Sequence, residues 1–352
     1  MFKDKSILIT GGTGSFGRKF IQTVLDRYEP RRVIVFSRDE LKQFEMSQQI
    51  HDDRMRYFIG DIRDAGRLSM AMEDVDIVVH AAALKQVPAL EYNPSEAIKT
   101  NINGTENVVT AALNQRVDRV IALSTDKAAA PINLYGATKL AGDKLVVAAN
   151  NIRGKSQCKF SVVRYGNVIG SRGSVIPFFQ KLVAQGAKEL PITDPTMTRF
   201  LITLEQGVDF VIDALKRMQG GETFVPKIPS ADMVTIANAI GPGLAHTIVG
   251  ARSGEKKHEL MCPVDLASST YEFDKFYLIK PSFDFTRKVD YSITTDGQRG
   301  EKVALDFEYN SFNNPIYLDE RELQNIMSIA SNNPIYLDER ESQNLISIAS
   351  NQ

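Results

Sequence analysis

The sequence predicts an α/β fold in which a doubly wound parallel sheet carries a smaller α/β lobe. Three observations predict it. Short apolar runs rich in Val and Ile alternate with amphipathic stretches through the first half of the chain. A glycine-rich turn joins the first run to the first amphipathic stretch. From about residue 167 the segments shorten, and Gly and Pro become frequent, as at Gly170, Gly173, Pro177, Pro191, Pro195, Pro226 and Pro229.

The apolar runs cover residues 6–10, 32–37, 55–60, 75–80, 119–124 and 159–165. Their nearly continuous hydrophobicity is that of strands covered on both faces. The helical patterns between them cover 15–28, 39–50, 64–72, 94–115 and 134–150. Such alternation implies right-handed crossovers and parallel pairing. A doubly wound sheet binds ligand at the carboxyl ends of its strands, so functional residues are expected just after each strand. Three regions follow: 1–166 as the sheet domain, 167–310 as mainly a second lobe with segments returning to the sheet, and 311–352 as a tail. The tail holds a tandem repeat, NNPIYLDERELQNIMSIAS at 313–331 and NNPIYLDERESQNLISIAS at 332–350, with 16 of 19 positions identical. Two copies are too few for a solenoid. Each reads as an Asp-capped helix, and the pair as a duplication that leaves a redundant terminal helix; an oligomer contact is the alternative.

Composition removes several classes. The chain has 352 residues, 43% hydrophobic and 24% charged, which excludes wholesale disorder. Lys+Arg 42 against Asp+Glu 43 leaves a net charge of -1, so no basic surplus drives binding to nucleic acid or membrane. No apolar run reaches the roughly 18 residues of a spanning helix. Residues 1–6 have neither the apolar region nor the cleavage site of a signal peptide. Cys158 and Cys262 fit no metal or redox spacing and read as reduced cysteines of a cytoplasmic protein, with a disulfide left open. His51, His80, His246 and His258 form no ligand pattern, so no metal is expected; His80, at a strand end, is the one placed near a cofactor.

The turn after the first strand reads Thr10-Gly11-Gly12-Thr13-Gly14-Ser15-Phe16-Gly17. Gly11 suits the tight turn, Gly14 the close approach of a pyrophosphate, and Gly17 the packing of helix on strand. The helix that follows offers free N–H groups and the positive end of its dipole to phosphate. This is the Rossmann pattern of a dinucleotide site. The second strand ends at Ser37-Arg38-Asp39. An acid at that end holds a ribose 2′-hydroxyl and repels a 2′-phosphate, whereas an arginine accepts one. Ser37 holds the acid's place and Arg38 follows, so NADP is the expected cofactor; Asp39 is a neighbour able to act as the acid. Asp61 and Ile62 after the third strand are placed at the adenine. Ala81 and Ala82 after the fourth pass the cofactor's centre, with Lys85 and Asn101 completing the cofactor set.

Tyr135 and Lys139 stand at i and i+4, on one face of a helix capped by Asn133. An ammonium beside a phenol is expected to lower its pKa and make it a usable base. The fifth strand ends just before, at Ser124-Thr125-Asp126-Lys127.

Taken together, TGGTGSFG, AAALK, STDKAAAP, the YxxxK pair and RYGNVIGSRGSVIP resemble the extended short-chain dehydrogenase/reductase family over roughly residues 5–310. Within it they are similar to the inverting UDP-N-acetylglucosamine 4,6-dehydratases that open pseudaminic acid synthesis. The resemblance implies NADP, a nucleotide-sugar substrate and a homo-oligomer, dimer or hexamer. It implies that Tyr135 and Lys139 form the family's catalytic pair and that Thr125 hydrogen-bonds the sugar near O4. It implies that Asp126 and Lys127 are the inverting enzymes' acid and base; retaining enzymes carry Asp-Glu there, so Lys127 discriminates. Lys85, Asn167, Arg252 and Glu255 match positions that meet the nucleotide-sugar, and Arg199 joins that set. Gln86, Leu201, Ser253 and Lys257 depart from the family's His, Trp, Pro and Leu, and bear on substrate fit and lobe packing.

The implied reaction oxidises C4, eliminates water across C5–C6 and returns the hydride to C6. Burial and the Lys139 charge are expected to favour a neutral Lys127. Two other readings remain: a UDP-N-acetylhexosamine 4-epimerase, which needs no Asp-Lys pair, and a non-catalytic cofactor-binding protein.

Overall fold

A computed structural model describes residues 1–331 apart from 172, 284 and 286–288. The second copy of the tail repeat, 332–350, lies outside the described residues. The chain forms two compact units. The first comprises Met1–Tyr165, Val208–Lys227 and Leu260–Asn310; the second comprises Gly166–Gly207, Ile228–Glu259 and the chain from Ser311.

The first unit begins with β1 (Ser6–Thr10), α1 (Ser15–Arg27), β2 (Arg32–Ser37), α2 (Glu40–Gln49), β3 (Met55–Ile59), α3 (Ala65–Ala71) and β4 (Ile77–His80). Then come α4 (Val87–Tyr92), α5 (Pro94–Ala97), a π-helical turn (Ile98–Asn103), α6 (Gly104–Asn114), β5 (Arg119–Thr125), α7 (Leu134–Ile152) and β6 (Lys159–Tyr165). The strands pair in parallel in the order β3-β2-β1-β4-β5-β6, and Thr223–Pro226 adds a parallel strand beside β6. Phe276–Ile279, Thr270–Glu272 and Glu301–Lys302 extend that edge antiparallel. The expected doubly wound parallel sheet is therefore present. Its order reverses at β1, which pairs with β2 on one side and β4 on the other; a ligand crevice opens at such a point.

Burial explains why these runs are strands. All five residues of β1 are buried. On one face Leu8, Val78, Val120 and Val162 pack against Val108 and Ala112 of α6 and Val146 of α7. Each such aliphatic side chain contributes about 1.5–3 kcal/mol on burial, which offsets the cost of ordering the strands.

The helix expected over 94–115 is broken by the π turn. One inserted residue widens the helix locally, and a 3.6-residue hydrophobic pattern does not register it. Cys158 and Cys262 are buried and free. Among the described residues no helix is long and apolar enough to cross a membrane.

The second unit has a three-stranded sheet of Ser230–Asp232, Thr198–Ile202 and Asn167–Val168, and a parallel pair of Glu189–Ile192 with Ala245–Ile248. Its helices are Val175–Ala184, Met233–Ile240 and Glu320–Ser331. The last belongs to the first repeat copy. Asp319 Oδ1 accepts from the Glu322 N–H at 2.7 Å and Glu322 Oε2 accepts from the Asp319 N–H at 2.9 Å, a reciprocal cap. Leu323 is fully buried in this unit's core. The second copy has Ser342 at that place. Leu201, one of the departures from the family pattern, is buried in the same core.

Candidate active site

The glycine turn lies at the carboxyl end of β1. Gly11 has φ +67°, and a Cβ there would stand 3.0 Å from the Ala82 nitrogen, so the turn and the loop after β4 meet backbone to backbone. At Gly17 a Cβ would fall 2.5 Å from Gly12, which fixes how closely α1 can sit. Gly14 caps α1 without a side chain, and its Cβ position is clear but for the Gly11 carbonyl oxygen at 3.3 Å. The first-turn N–H groups of α1 thus receive no side-chain cap, and a phosphate fits where a Cβ would intrude. Phe16 stacks on Phe20 within α1, its ring centroid 6.0 Å away.

At the end of β2, Ser37 Oγ and Thr13 Oγ1 are 2.9 Å apart. The Asp39 carboxylate caps α2 through the Lys42 N–H at 3.0 Å and pairs with Lys42 Nζ at 2.6 Å. Those hydrogen bonds from Lys42 hold it below the usual carboxylate range. Arg38 is exposed and lies 3.6 Å from Asp61. Burial alone would raise the Asp61 carboxyl, but the hydrogen bonds of Arg63 outweigh it and hold the carboxyl low. Ile62 is buried, and its carbonyl accepts from Asn107 Nδ2 at 3.0 Å.

Asn101 sits in the π turn, 2% exposed. Its Oδ1 accepts from the Leu84 N–H at 2.8 Å, and its Nδ2 donates to Leu84 O at 2.9 Å and Thr138 Oγ1 at 3.1 Å. It brackets the loop carrying Ala81, Ala82 and Lys85 to the helix carrying Tyr135. Lys85 itself is exposed, as is Gln86.

The reacting groups gather beyond β5. Asp126 is fully buried, while Lys127 is part-exposed. Asp126 Oδ1 accepts from Thr125 Oγ1 at 2.8 Å and from Lys127 Nζ at 3.1 Å. Asp126 Oδ2 is buried and has no hydrogen-bond partner among the described residues, a rare state for a buried carboxylate oxygen. The loop then passes Ala130 at φ +43°, a strained backbone of the kind found at working sites. Gly136 decides where this loop meets α7: a Cβ there would lie 2.2 Å from the Lys127 carbonyl oxygen. The glycine inside the YxxxK segment therefore lets the Asp126–Lys127 backbone reach the turn of helix that bears Tyr135.

Burial pushes the Tyr135 phenol up to about 12, and Lys127 is a cation that opposes this rise. Lys139 Nζ donates to Leu123 O at 2.7 Å, and burial lowers its own pKa, with Asp143 acting against that shift.

In the second unit, Arg199 is 5% exposed. Its guanidinium meets the Thr198 and Lys257 carbonyls at 2.8 and 3.2 Å, Glu255 at 3.3 Å and Glu259 at 3.9 Å. It organises the loop of Arg252 and Glu255, whose turn closes through the Glu255 N–H to Arg252 O at 3.1 Å. Arg252, Ser253 and Lys257 are exposed and Asn167 is half-buried.

Sequence reading missed Gly136, Thr138 and Asp143. For Gly136 the signal was present, a glycine in a helical segment. Asp143 follows Lys139 by four residues, and its Oδ2 accepts from Ser124 Oγ at 2.6 Å and lies 3.4 Å from Arg164.

Comparisons with known proteins place the chain in a family. A family model described as polysaccharide biosynthesis protein matches residues 7–281. A relative from Campylobacter jejuni, named UDP-N-acetylglucosamine 4,6-dehydratase (inverting), is 57% identical over 93% of this chain and 98% of its own length. A UDP-glucose 4-epimerase of Rickettsia prowazekii is 41% identical over 89% of this chain and 92% of its own. The X-ray structure of Pen from Bacillus thuringiensis superposes with a TM-score of 0.84 at 36% identity, covering 94% of this chain and 98% of that one. With matches of this length on a dinucleotide-type sheet, the chain belongs to the polysaccharide biosynthesis protein family, in the dehydratase and epimerase group of the extended short-chain dehydrogenases/reductases.

Proposed function

We propose that this chain is an NADP-dependent, inverting UDP-N-acetylglucosamine 4,6-dehydratase. The observation that carries the reading is the Asp126–Lys127 pair set against the Tyr135 helix through Gly136. The name and 57% identity of the Campylobacter relative support it.

The chemical difficulty is the C5 proton, which becomes acidic only beside a C4 ketone. Tyr135 takes the O4 proton as C4 is oxidised, with Thr125 holding that oxygen. Lys127, as the free amine, removes the C5 proton, and Asp126, as the acid, protonates the departing C6 hydroxyl. These two roles are compatible because the groups touch at 3.1 Å. Moving one proton from ammonium to carboxylate turns an ion pair into a base and an acid, with no change in net charge. Asp126 Oδ2, which has no hydrogen-bond partner among the described residues, is the oxygen assigned to that task. Return of a proton to the opposite face of C5 gives the L-sugar. A nicotinamide nucleotide, when bound, supplies the hydride acceptor for C4 and the donor for C6. Lys85, Asn167, Arg199, Arg252 and Glu255 are assigned to the nucleotide-sugar.

For the cofactor, the glycine turn supports a dinucleotide, and NADP rests on the end of β2. No carboxylate stands at Ser37, and the one at Asp39 is already engaged by Lys42. Arg38, exposed and 3.6 Å from Asp61, is assigned to a 2′-phosphate. Arg38→Ala is expected to lower the preference for NADP over NAD by about 10–100-fold, the effect of losing one charge-assisted hydrogen bond. Comparing kcat/KM for the two cofactors checks this, and an unchanged ratio overturns the NADP assignment.

The reaction is tested by proton NMR with UDP-N-acetylglucosamine in deuterated water. A dehydratase accumulates a 4-keto-6-deoxy product with deuterium at C5. UDP-N-acetylgalactosamine instead would mark an epimerase, and no turnover a binding protein.

A further inference from the structure

His80 lies at the end of β4, 1% exposed, and the reaction above gives it no role. Its surroundings fix where its proton sits. Thr105 Oγ1 donates to the Asn101 carbonyl at 2.7 Å. A hydroxyl has one proton, so at its 3.0 Å contact with His80 Nε2 the threonine accepts. The assignment that keeps every one of these bonds places the His80 proton on Nε2. On the other side, the Ala82 N–H donates to Thr10 Oγ1 at 3.2 Å, and Thr10 Oγ1 lies 2.8 Å from His80 Nδ1. Thr10 thus donates to a bare Nδ1. Burial, with the Lys139 charge adding to it, drives the ring pKa down to about 3, in keeping with a neutral imidazole.

The chain of bonds is directional and continuous. It runs from Ala82 through Thr10, His80 and Thr105 to the carbonyl of Asn101. The Asn101 side chain then grips both backbone groups of Leu84 and donates to Thr138, whose hydroxyl donates to the Tyr135 carbonyl at 2.9 Å. The Ala82 end of the loop beside the glycine turn is therefore linked to the π turn through one imidazole, while the Leu84 end is held by the Asn101 side chain directly, and both links meet at Asn101.

We propose that His80 is a positioning residue: as a neutral Nε2–H imidazole it ties the cofactor-side loop at Ala82 to the π turn at Asn101 and so to the helix that bears Tyr135. This rests on the reading of the site given above. Neutral histidine alone both donates and accepts along one line across the ring. A protonated ring would face the Thr10 hydroxyl with a second donor, so the Thr10 proton would lose the acceptor it has at Nδ1 and the single direction of the chain would be broken.

The first test is nitrogen-15 NMR of the imidazole in the wild-type protein. The expected result is an Nε2–H tautomer that does not titrate between pH 5 and 8. An Nδ1–H tautomer, or a ring that titrates in that range, overturns the proposal. The second test is direct NADP binding, followed by calorimetry. His80→Leu is expected to weaken NADP binding about tenfold to a hundredfold, as two buried hydrogen bonds are lost. His80→Gln, which restores a donor toward Thr105, is expected to recover most of that loss. Unchanged NADP affinity in the leucine variant, or no recovery in the glutamine variant, also overturns it. If the leucine variant does not fold, the tautomer in the wild type decides. Neither readout depends on turnover, so failure of wild-type protein to dehydrate UDP-N-acetylglucosamine would count against the proposed reaction and leave the His80 result to stand or fall separately.

Discussion

Lys127→Ala is expected to stop deuterium from entering C5 and to cut formation of the 4-keto-6-deoxy product by about a hundredfold to ten-thousandfold, the range for loss of a general base. Oxidation at C4 is expected to survive in part, because it depends on Tyr135. It should slow, since Lys127 is the cation that opposes the burial-driven rise of the Tyr135 phenol. Two functions of one side chain, its charge and its lone pair, are thereby confounded in alanine. Lys127→Arg separates them. Arginine keeps a cation beside Asp126 and Tyr135 but stays protonated at any working pH and cannot serve as a base. The arginine variant should therefore oxidise C4 better than the alanine variant and still fail to exchange the C5 proton. Exchange measured by NMR, with the product assayed in parallel, checks this. Full turnover by the alanine variant refutes the base assignment; exchange restored by arginine would make Lys127 an electrostatic partner of Asp126.

Much of this site was legible in the chain because its parts are local. The strands read directly because a run such as Ser6–Thr10, buried along its whole length, has no polar face to disguise it. The glycine turn read directly because Gly11 and Gly17 answer steric demands that few other residues meet. Tyr135 and Lys139 share a helix face, and Asp126 and Lys127 are neighbours. What was not legible joins segments distant in sequence. The π turn depends on how Asn101 meets Leu84 and Thr138, residues 17 and 37 positions away. No periodicity encodes that. The setting of Lys139 beside Tyr135 is hidden from spacing for the same reason. Spacing places both on one face, but the depth of the Lys139 ammonium and its bond to Leu123 O are set by β5 beneath the helix. Arg199 is placed in the nucleotide-sugar set, but its neighbours in the folded unit, Glu255 and Glu259, arrive from more than 50 residues downstream, so no local pattern shows them.

Tyr135→Phe should fail differently from the lysine variants, and the difference tests the order of events. Removing the phenolic oxygen takes away the acceptor for the O4 proton, so C4 oxidation itself is expected to fall by about a hundredfold to ten-thousandfold. The C5 proton then never becomes acidic. Deuterium exchange should vanish although Lys127 and Asp126 are intact. The loss appears in kcat far more than in substrate KM, since a single hydroxyl is removed and the positioning groups remain. The pH dependence follows from the sign of the phenol's shift. Its pKa is raised to about 12, mainly by burial, so the phenol is protonated throughout the range in which proteins are assayed and the basic form grows as pH rises. Wild-type C4 oxidation should accordingly climb through pH 6 to 9 without levelling on account of this group, and the climb should be absent in the phenylalanine variant. Rapid-mixing measurements of the oxidation step across that range check both points. Persistence of C5 exchange in Tyr135→Phe would mean that proton loss at C5 does not wait for the C4 ketone, and the whole division of labour among Tyr135, Lys127 and Asp126 would have to be redrawn.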